Sequence, residues 1–158
     1  MEERFQTFTV LIAGINRSIR KIKTEEMDEY NLKSHHVSCL YYLFKFGGLT
    51  AKQLCDICQE DKAALSRSIE YLEKNGYIEN NESVKKKYRS PLNLTEKGNL
   101  IGKNIAKKID KILNLASDGL SEEKRKSLYE GLTLINNNLE KIVEKYGDWE
   151  YVSKNYDW

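Results

Sequence analysis

Near its start the chain sets apolar residues at Phe5, Phe8, Ile12, Ile15, Ile19 and Ile22, in alternating steps of three and four. That spacing draws one narrow stripe along a helix, closer to a coiled-coil seam than to the broad face of a globular core. The rhythm returns near the end, at Leu128, Leu132, Ile135, Leu139, Ile142 and Tyr146. Ser121, with Glu122 and Glu123 behind it, caps that last helix and complements its dipole. The first helix closes in basic residues, Arg17, Arg20, Lys21 and Lys23, which suit a C-terminus, and an acidic linker from Glu25 to Glu29 follows.

Shorter periods fill the middle. A second helix is expected from an N-cap at Ser34, burying Val37, Leu40, Leu43 and Phe44, and Gly47-Gly48 stops it. Thr50 and Gln53 have the spacing of a capping box for a third helix that runs to about Cys58. Asp61 is a good N-cap for a fourth over 62–74, with Leu65, Ile69 and Leu72 inward and Asn75-Gly76 ending it. Thr95 then caps a long fifth helix with Ile101, Ile105, Ile109, Ile112 and Leu113 on one side.

Between the fourth and fifth helices the pattern turns extended. The segments "GYIEN" and "SPLNL" read as two strands of a hairpin, with Leu92 and Leu94 alternating about Asn93. Pro91 is the chain's one proline and has no N–H for a sheet ladder, so its strand should be an edge or unpaired there. The hairpin's tip holds Lys85, Lys86, Lys87 and Arg89. The result is a mainly α fold with a small β-hairpin. Three short helices and the hairpin are the parts of a winged helix-turn-helix, expected over 33–95, and the helical segments 1–32 and 96–158 carry the seams expected of the dimerisation region that the family resemblance described below implies.

Composition narrows the class. The 158 residues are 32% charged and 40% hydrophobic, with a net charge of only +2. The total charge therefore does not argue for a polyanion partner; only its placement does. The opening Met1-Glu2-Glu3-Arg4 is unlike a signal peptide, and no run reaches the roughly 18 apolar residues of a membrane span. Three cysteines without framework spacing suggest a reducing cytosol, hence a cytoplasmic protein.

Charge placement is informative. The exposed start of the fourth helix carries Lys62, Ala63, Ser66 and Arg67, beside Lys52 and Gln53 of the third. Small residues permit close approach to a surface, and Arg67 offers a bidentate fork to guanine or phosphate. A cationic hairpin tip reaches a second stretch of backbone. Double-stranded DNA is thus the expected partner. The plainer readings are a solvated loop for the tip and a surface ion pair from Arg67 to Glu70 or Glu73.

These residues also carry a family resemblance. "LTAKQLCDICQEDKAALSRSIEYLEKNGYI", residues 49–78, followed by "PLNLTEKG", residues 91–98, resembles the MarR family of bacterial transcriptional regulators. The resemblance implies a homodimer whose first, fifth and sixth helices interlock between subunits, here through Phe5, Phe8, Ile12, Ile15, Leu128, Leu132, Ile135, Leu139 and Ile142. It implies repression at a palindromic operator and release by a small-molecule effector bound near Ile19, Tyr41 and Tyr42. The family's wing carries an Asp followed shortly by an Arg; Lys86 and Lys87 stand there instead, so the wing keeps its phosphate affinity without that ion pair.

Other chemistry finds little material. No cofactor, metal or enzymatic activity is expected. Cys55 and Cys58 sit on a short helix with Leu54 and Ile57, where packing is the main reading and a thiol-based redox sensor the alternative. His35 and His36 are adjacent, so they point apart on a helix and suit a helix start better than a shared metal. A winged-helix module that binds an acidic protein instead of DNA is the remaining alternative.

Overall fold

The computed structural model describes residues 2–80 and 90–145. The cationic tip with Lys85, Lys86, Lys87 and Arg89, and also Tyr146 and the aromatic tail, lie outside the described residues. The order is α1 (Glu2–Glu25), a 3-10 turn (Asp28–Tyr30), α2 (Ser34–Phe46), α3 (Ala51–Cys58), α4 (Lys62–Lys74), β1 (Ile78–Asn80), β2 (Leu92–Leu94), α5 (Glu96–Ala116) and α6 (Glu122–Glu144). It is the mainly helical fold with one small hairpin that the periodicity predicts. The chain divides into two compact units, Met1–Ile112 and Leu113–Trp158.

In the first unit the core forms around α2. Val37, Cys39, Leu40 and Leu43 of α2 meet Leu54 of α3, Leu65 and Leu72 of α4, Ile78 and Leu92 of the strands, and Ile101 and Ile105 of α5. Burying each large aliphatic side chain contributes roughly 1.5–3 kcal/mol. Met27 and Leu32 seal the segment between α1 and α2. The acidic linker is held as well: Lys108 Nζ lies 3.3 Å from a Glu26 carboxylate oxygen and 3.6 Å from Glu29, and donates to the Glu26 carbonyl at 2.7 Å.

The hairpin pairs antiparallel, with Ile78 opposite Leu94 and Asn80 opposite Leu92. On its other side β2 meets Leu49, whose carbonyl accepts from the Leu92 N–H at 2.9 Å. Pro91 stands just before this ladder, as a residue without an N–H must. Gly48 lies beneath it; a Cβ there would come within 2.8 Å of Asn93 Oδ1.

Several local expectations shift. Lys33, extended at φ −84°, is the N-cap of α2 in place of Ser34, which is already helical. The cap works through His36, whose Nδ1 accepts from the Lys33 N–H at 3.1 Å. Phe44 is only half-buried, while His36 and Cys39 take the buried positions of α2. Ser68 joins Leu65 and Leu72 on the buried side of α4, its hydroxyl donating to the Ala64 carbonyl at 2.9 Å, while Ile69 packs half-buried against the core as expected. Leu113 is exposed.

Neither α1 nor α6 has a buried residue among those described. Phe8, Ile12, Ile15 and Ile19 on α1 are exposed, as are Leu128, Ile135 and Leu139 on α6; Leu132 and Ile142 are half-buried. In the second unit Ser121 Oγ caps α6 by accepting from the Lys124 N–H at 3.3 Å. No helix among the described residues is long and apolar enough to cross a membrane.

Candidate nucleic-acid interface

The helix-turn-helix is assembled from caps. Thr50 Oγ1 accepts from the Gln53 N–H at 3.3 Å, and Gln53 Oε1 accepts from the Thr50 N–H at 3.0 Å, so α3 starts from a complete capping box. Gln59 ends α3 in the left-handed region at φ 53°, and its side-chain amide donates to the Asp56 carbonyl at 2.7 Å. Two residues later Asp61 Oδ1 accepts from the Ala64 N–H at 2.8 Å and starts α4. The tight turn between the caps holds α4 against α2 and α3.

Leu65, Ser68 and Leu72 turn inward, which leaves Lys62, Ala63, Ser66 and Arg67 exposed on the opposite side of α4. Arg67 makes no ion pair within 4.0 Å among the described residues, so neither Glu70 nor Glu73 neutralises it. Lys52 and Gln53 are exposed on the first turn of α3. The oxygen of Gln53 is taken by Thr50, which leaves its amide N–H₂ as the group free to meet a ligand.

The exit from the wing has its own logic, one that periodicity does not reveal. Thr95 Oγ1 donates to the Gly76 carbonyl at 2.7 Å and accepts from the Gly98 N–H at 3.0 Å. One hydroxyl thus caps α5 and ties it to the end of α4. Lys97 Nζ donates to the Asn75 carbonyl at 2.8 Å and lies 4.1 Å from the centre of the Tyr77 ring. A Cβ on Gly98 would collide with the Tyr77 carbonyl oxygen. The "NGY" and "LTEKG" segments are therefore two halves of one joint, which fixes the hairpin relative to α4.

Behind α4, His36 stacks on Tyr71 with ring centres 4.1 Å apart and planes 2° from parallel. The Tyr71 hydroxyl donates to the Asn31 carbonyl at 2.8 Å. Burial, with His35 and Lys33 nearby, lowers the His36 pKa to about 4, so the ring is neutral and accepts at Nδ1. The histidine pair is thus a helix-start and packing device. Among the described residues no group of three or more His, Cys, Asp or Glu is placed to hold a metal.

The residues expected to border an effector site are on α1 and α2. Tyr41 and Tyr42 on α2 are half-buried, in edge-to-face contact at 5.2 Å, and Ile19 on α1 is exposed.

Residues 30–87, which contain α2, α3, α4 and β1, match the model of the MarR family. Over that stretch the chain is similar to the MarR family, and its fold is that of a winged helix-turn-helix. The chain is 24% identical over 143 residues to an uncharacterised HTH-type transcriptional regulator, YybA, of Bacillus subtilis (strain 168), covering 90% of this chain and 91% of that one. Among solved structures it is 28% identical to a MarR family regulator from Listeria monocytogenes complexed with 26mer DNA, with a TM-score of 0.74 and 93% and 94% of the two chains covered. It also shares the fold of the transcriptional regulator SlyA, with a TM-score of 0.77, 24% identity and 92% and 98% covered. The relatives it resembles are transcriptional regulators.

Proposed function

We propose that this chain is a MarR-type, cytoplasmic repressor that binds a palindromic DNA operator as a homodimer. The observation that carries the reading is the start of α4. Lys62, Ala63, Ser66 and Arg67 form an exposed, cationic, small-residue face, and the Arg67 guanidinium is committed to no carboxylate of its own chain. Such a face enters a major groove with its fork aimed at a base edge. Lys52 and the free amide of Gln53 would contact flanking phosphates, and Lys85, Lys86, Lys87 and Arg89 the backbone beyond. The exposed seams on α1 and α6 support a second copy as the partner, because apolar stripes of that extent are otherwise left in water. Two subunits then read half-sites about 10 bp apart, one turn of duplex. Release follows if a small molecule near Ile19, Tyr41 and Tyr42 binds one arrangement of the two α4 helices better than the other.

A footprint over the DNA upstream of the protein's own gene, repeated with Arg67→Ala, tests this. The wild type should protect a two-fold symmetric site, and the variant should lose base preference worth about 1–3 kcal/mol at one position of each half-site. An Arg67→Ala protein with full affinity and specificity would place the reading surface elsewhere. Binding to an acidic protein with no DNA protection would favour the interaction module.

A further inference from the structure

Three distant residues converge on the short segment that joins α1 to α2. After α1 the chain passes through the 3-10 turn and then Asn31, which sits in the left-handed region at φ 55°. Asparagine tolerates that region better than most side chains, so the turn closes tightly. Met27 and Leu32, each 2% exposed, anchor the segment in the core near either end. Three of its carbonyls are taken from far along the chain. The Tyr71 hydroxyl of α4 donates to the Asn31 carbonyl at 2.8 Å, and Lys108 Nζ of α5 donates to the Glu26 carbonyl at 2.7 Å. The Tyr77 hydroxyl reaches the Tyr30 carbonyl, more weakly, at 3.5 Å. Lys108 also lies 3.3 Å from a carboxylate oxygen of Glu26 and 3.6 Å from one of Glu29, so its charge is committed to this segment.

We propose that the segment Glu26–Leu32, tied by Tyr71 and Lys108, fixes the angle of α4 relative to α1, and with it the spacing of the two half-sites that a dimer reads. The spacing consequence rests on the proposed function above; the tie between the helices does not. α1 carries an exposed apolar seam and α4 carries the cationic face. If two copies meet through the seam, the distance between their reading faces depends on how rigidly each α4 follows its own α1. Tyr71 stands in the second half of α4, and Lys62, at the start, is roughly 14 Å away along the helix axis. A tilt of about 10° about Tyr71 would carry the Lys62 end by about 2 Å, and two subunits together by about 5 Å, more than the ~3.4 Å between successive base pairs. A small tilt would therefore blur the spacing by a whole base pair, which gives the ties a purpose.

The two ties act from different sides. The Tyr71 ring is stacked on His36 and stays packed without its hydroxyl, so the hydroxyl alone supplies the link from α4 to Asn31. Lys108 holds the α1 end of the segment to α5 through a charge-assisted bond, stronger than a neutral one. Both are positioning residues: they act on DNA through the angle of α4.

The test measures the affinity of the full-length protein for duplexes in which the spacer between its footprinted half-sites is lengthened or shortened by about one or two base pairs. Wild type should discriminate against the altered spacers by at least about tenfold, because a half-site out of register forfeits its base contacts. Tyr71→Phe, which keeps the stacked ring and removes one hydrogen bond, should narrow that preference to about threefold. Lys108→Met should do the same and Lys108→Arg should restore it, while the base preference read by Arg67 stays unchanged in all three. A merely structural role predicts an equal loss at every spacing. That result, a wild type indifferent to spacing, or full discrimination in both Tyr71→Phe and Lys108→Met overturns the spacing role. The tie itself is read without DNA, from the distance distribution between spin labels placed at Arg17 and Ala63 without cysteine chemistry, the labelled chain being diluted in unlabelled chain. The distribution should be narrow in wild type and Lys108→Arg, and broad in Tyr71→Phe and Lys108→Met. Widths that do not change overturn the tie. If the widths change but the wild type binds no duplex, the tie stands and the proposed function fails.

Discussion

Gly98→Ala isolates the joint between the wing and α5. Gly98 lies one turn into the helix that Thr95 caps, and the added Cβ would meet the Tyr77 carbonyl oxygen, with the carbonyl carbon at 3.0 Å and Leu94 Cδ2 at 3.2 Å. The obstacle is backbone and cannot rotate away, so β1 and α5 must separate. Overpacking of this kind costs about 1–3 kcal/mol. Separation also strains two bonds to Tyr77, from the Thr95 N–H at 3.1 Å and Thr95 Oγ1 at 3.3 Å, each contributing about 1 kcal/mol. Alanine's helix propensity returns about 1 kcal/mol. The net expectation is a loss of about 2–4 kcal/mol. With a urea m-value of about 2 kcal/mol/M, the unfolding midpoint should fall by about 1–2 M, measured by circular dichroism at fixed protein concentration. DNA affinity per folded molecule should change little, because Gly98 is buried at the joint. An unchanged or raised midpoint would refute the steric argument. A preserved midpoint with lost DNA binding would make Gly98 part of the recognition surface.

Other expectations can be checked independently. Thr95→Ala removes both the α5 cap and the tie to Gly76, and should cost about 1–2 kcal/mol in the same unfolding assay. The His36 pKa is lowered in the fold to about 4 from 6.5, so the unfolded chain binds the extra proton. Its contribution is therefore complete above about pH 6.5 and is lost as pH falls toward 4, by up to about 3 kcal/mol; His36→Gln should flatten that part of the stability profile relative to wild type. Ile135→Asp with Leu139→Asp should convert a dimer to monomer in sedimentation, and a wild type already monomeric at micromolar concentration would remove the proposed assembly. If each subunit neutralises about four phosphates, the log-log salt slope of DNA binding should be near −7, and a slope near zero would deny the wing its role.

The sequence by itself determined most of what is local. Thr50 with Gln53, Asp61 and Ser121 cap the helices expected of them, because a cap is made within three residues of its own backbone. The 3-4 stripes located α1 and α6, and the inward side of α4 settled which of its residues remain in water. Where local reading failed, a longer contact had intervened: Lys33 displaced Ser34 as the cap once His36 was held in place by Tyr71. Only the tertiary structure brought Tyr71 to the Asn31 carbonyl and Lys97 to the Asn75 carbonyl. It alone gave Gly98 a reason, because the colliding atom belongs to Tyr77, in the turn between α4 and β1. The physical cause is common to all of these. Periodicity and capping energies act over one or two turns of chain, whereas these contacts exist only after the core around α2 has folded distant segments against each other.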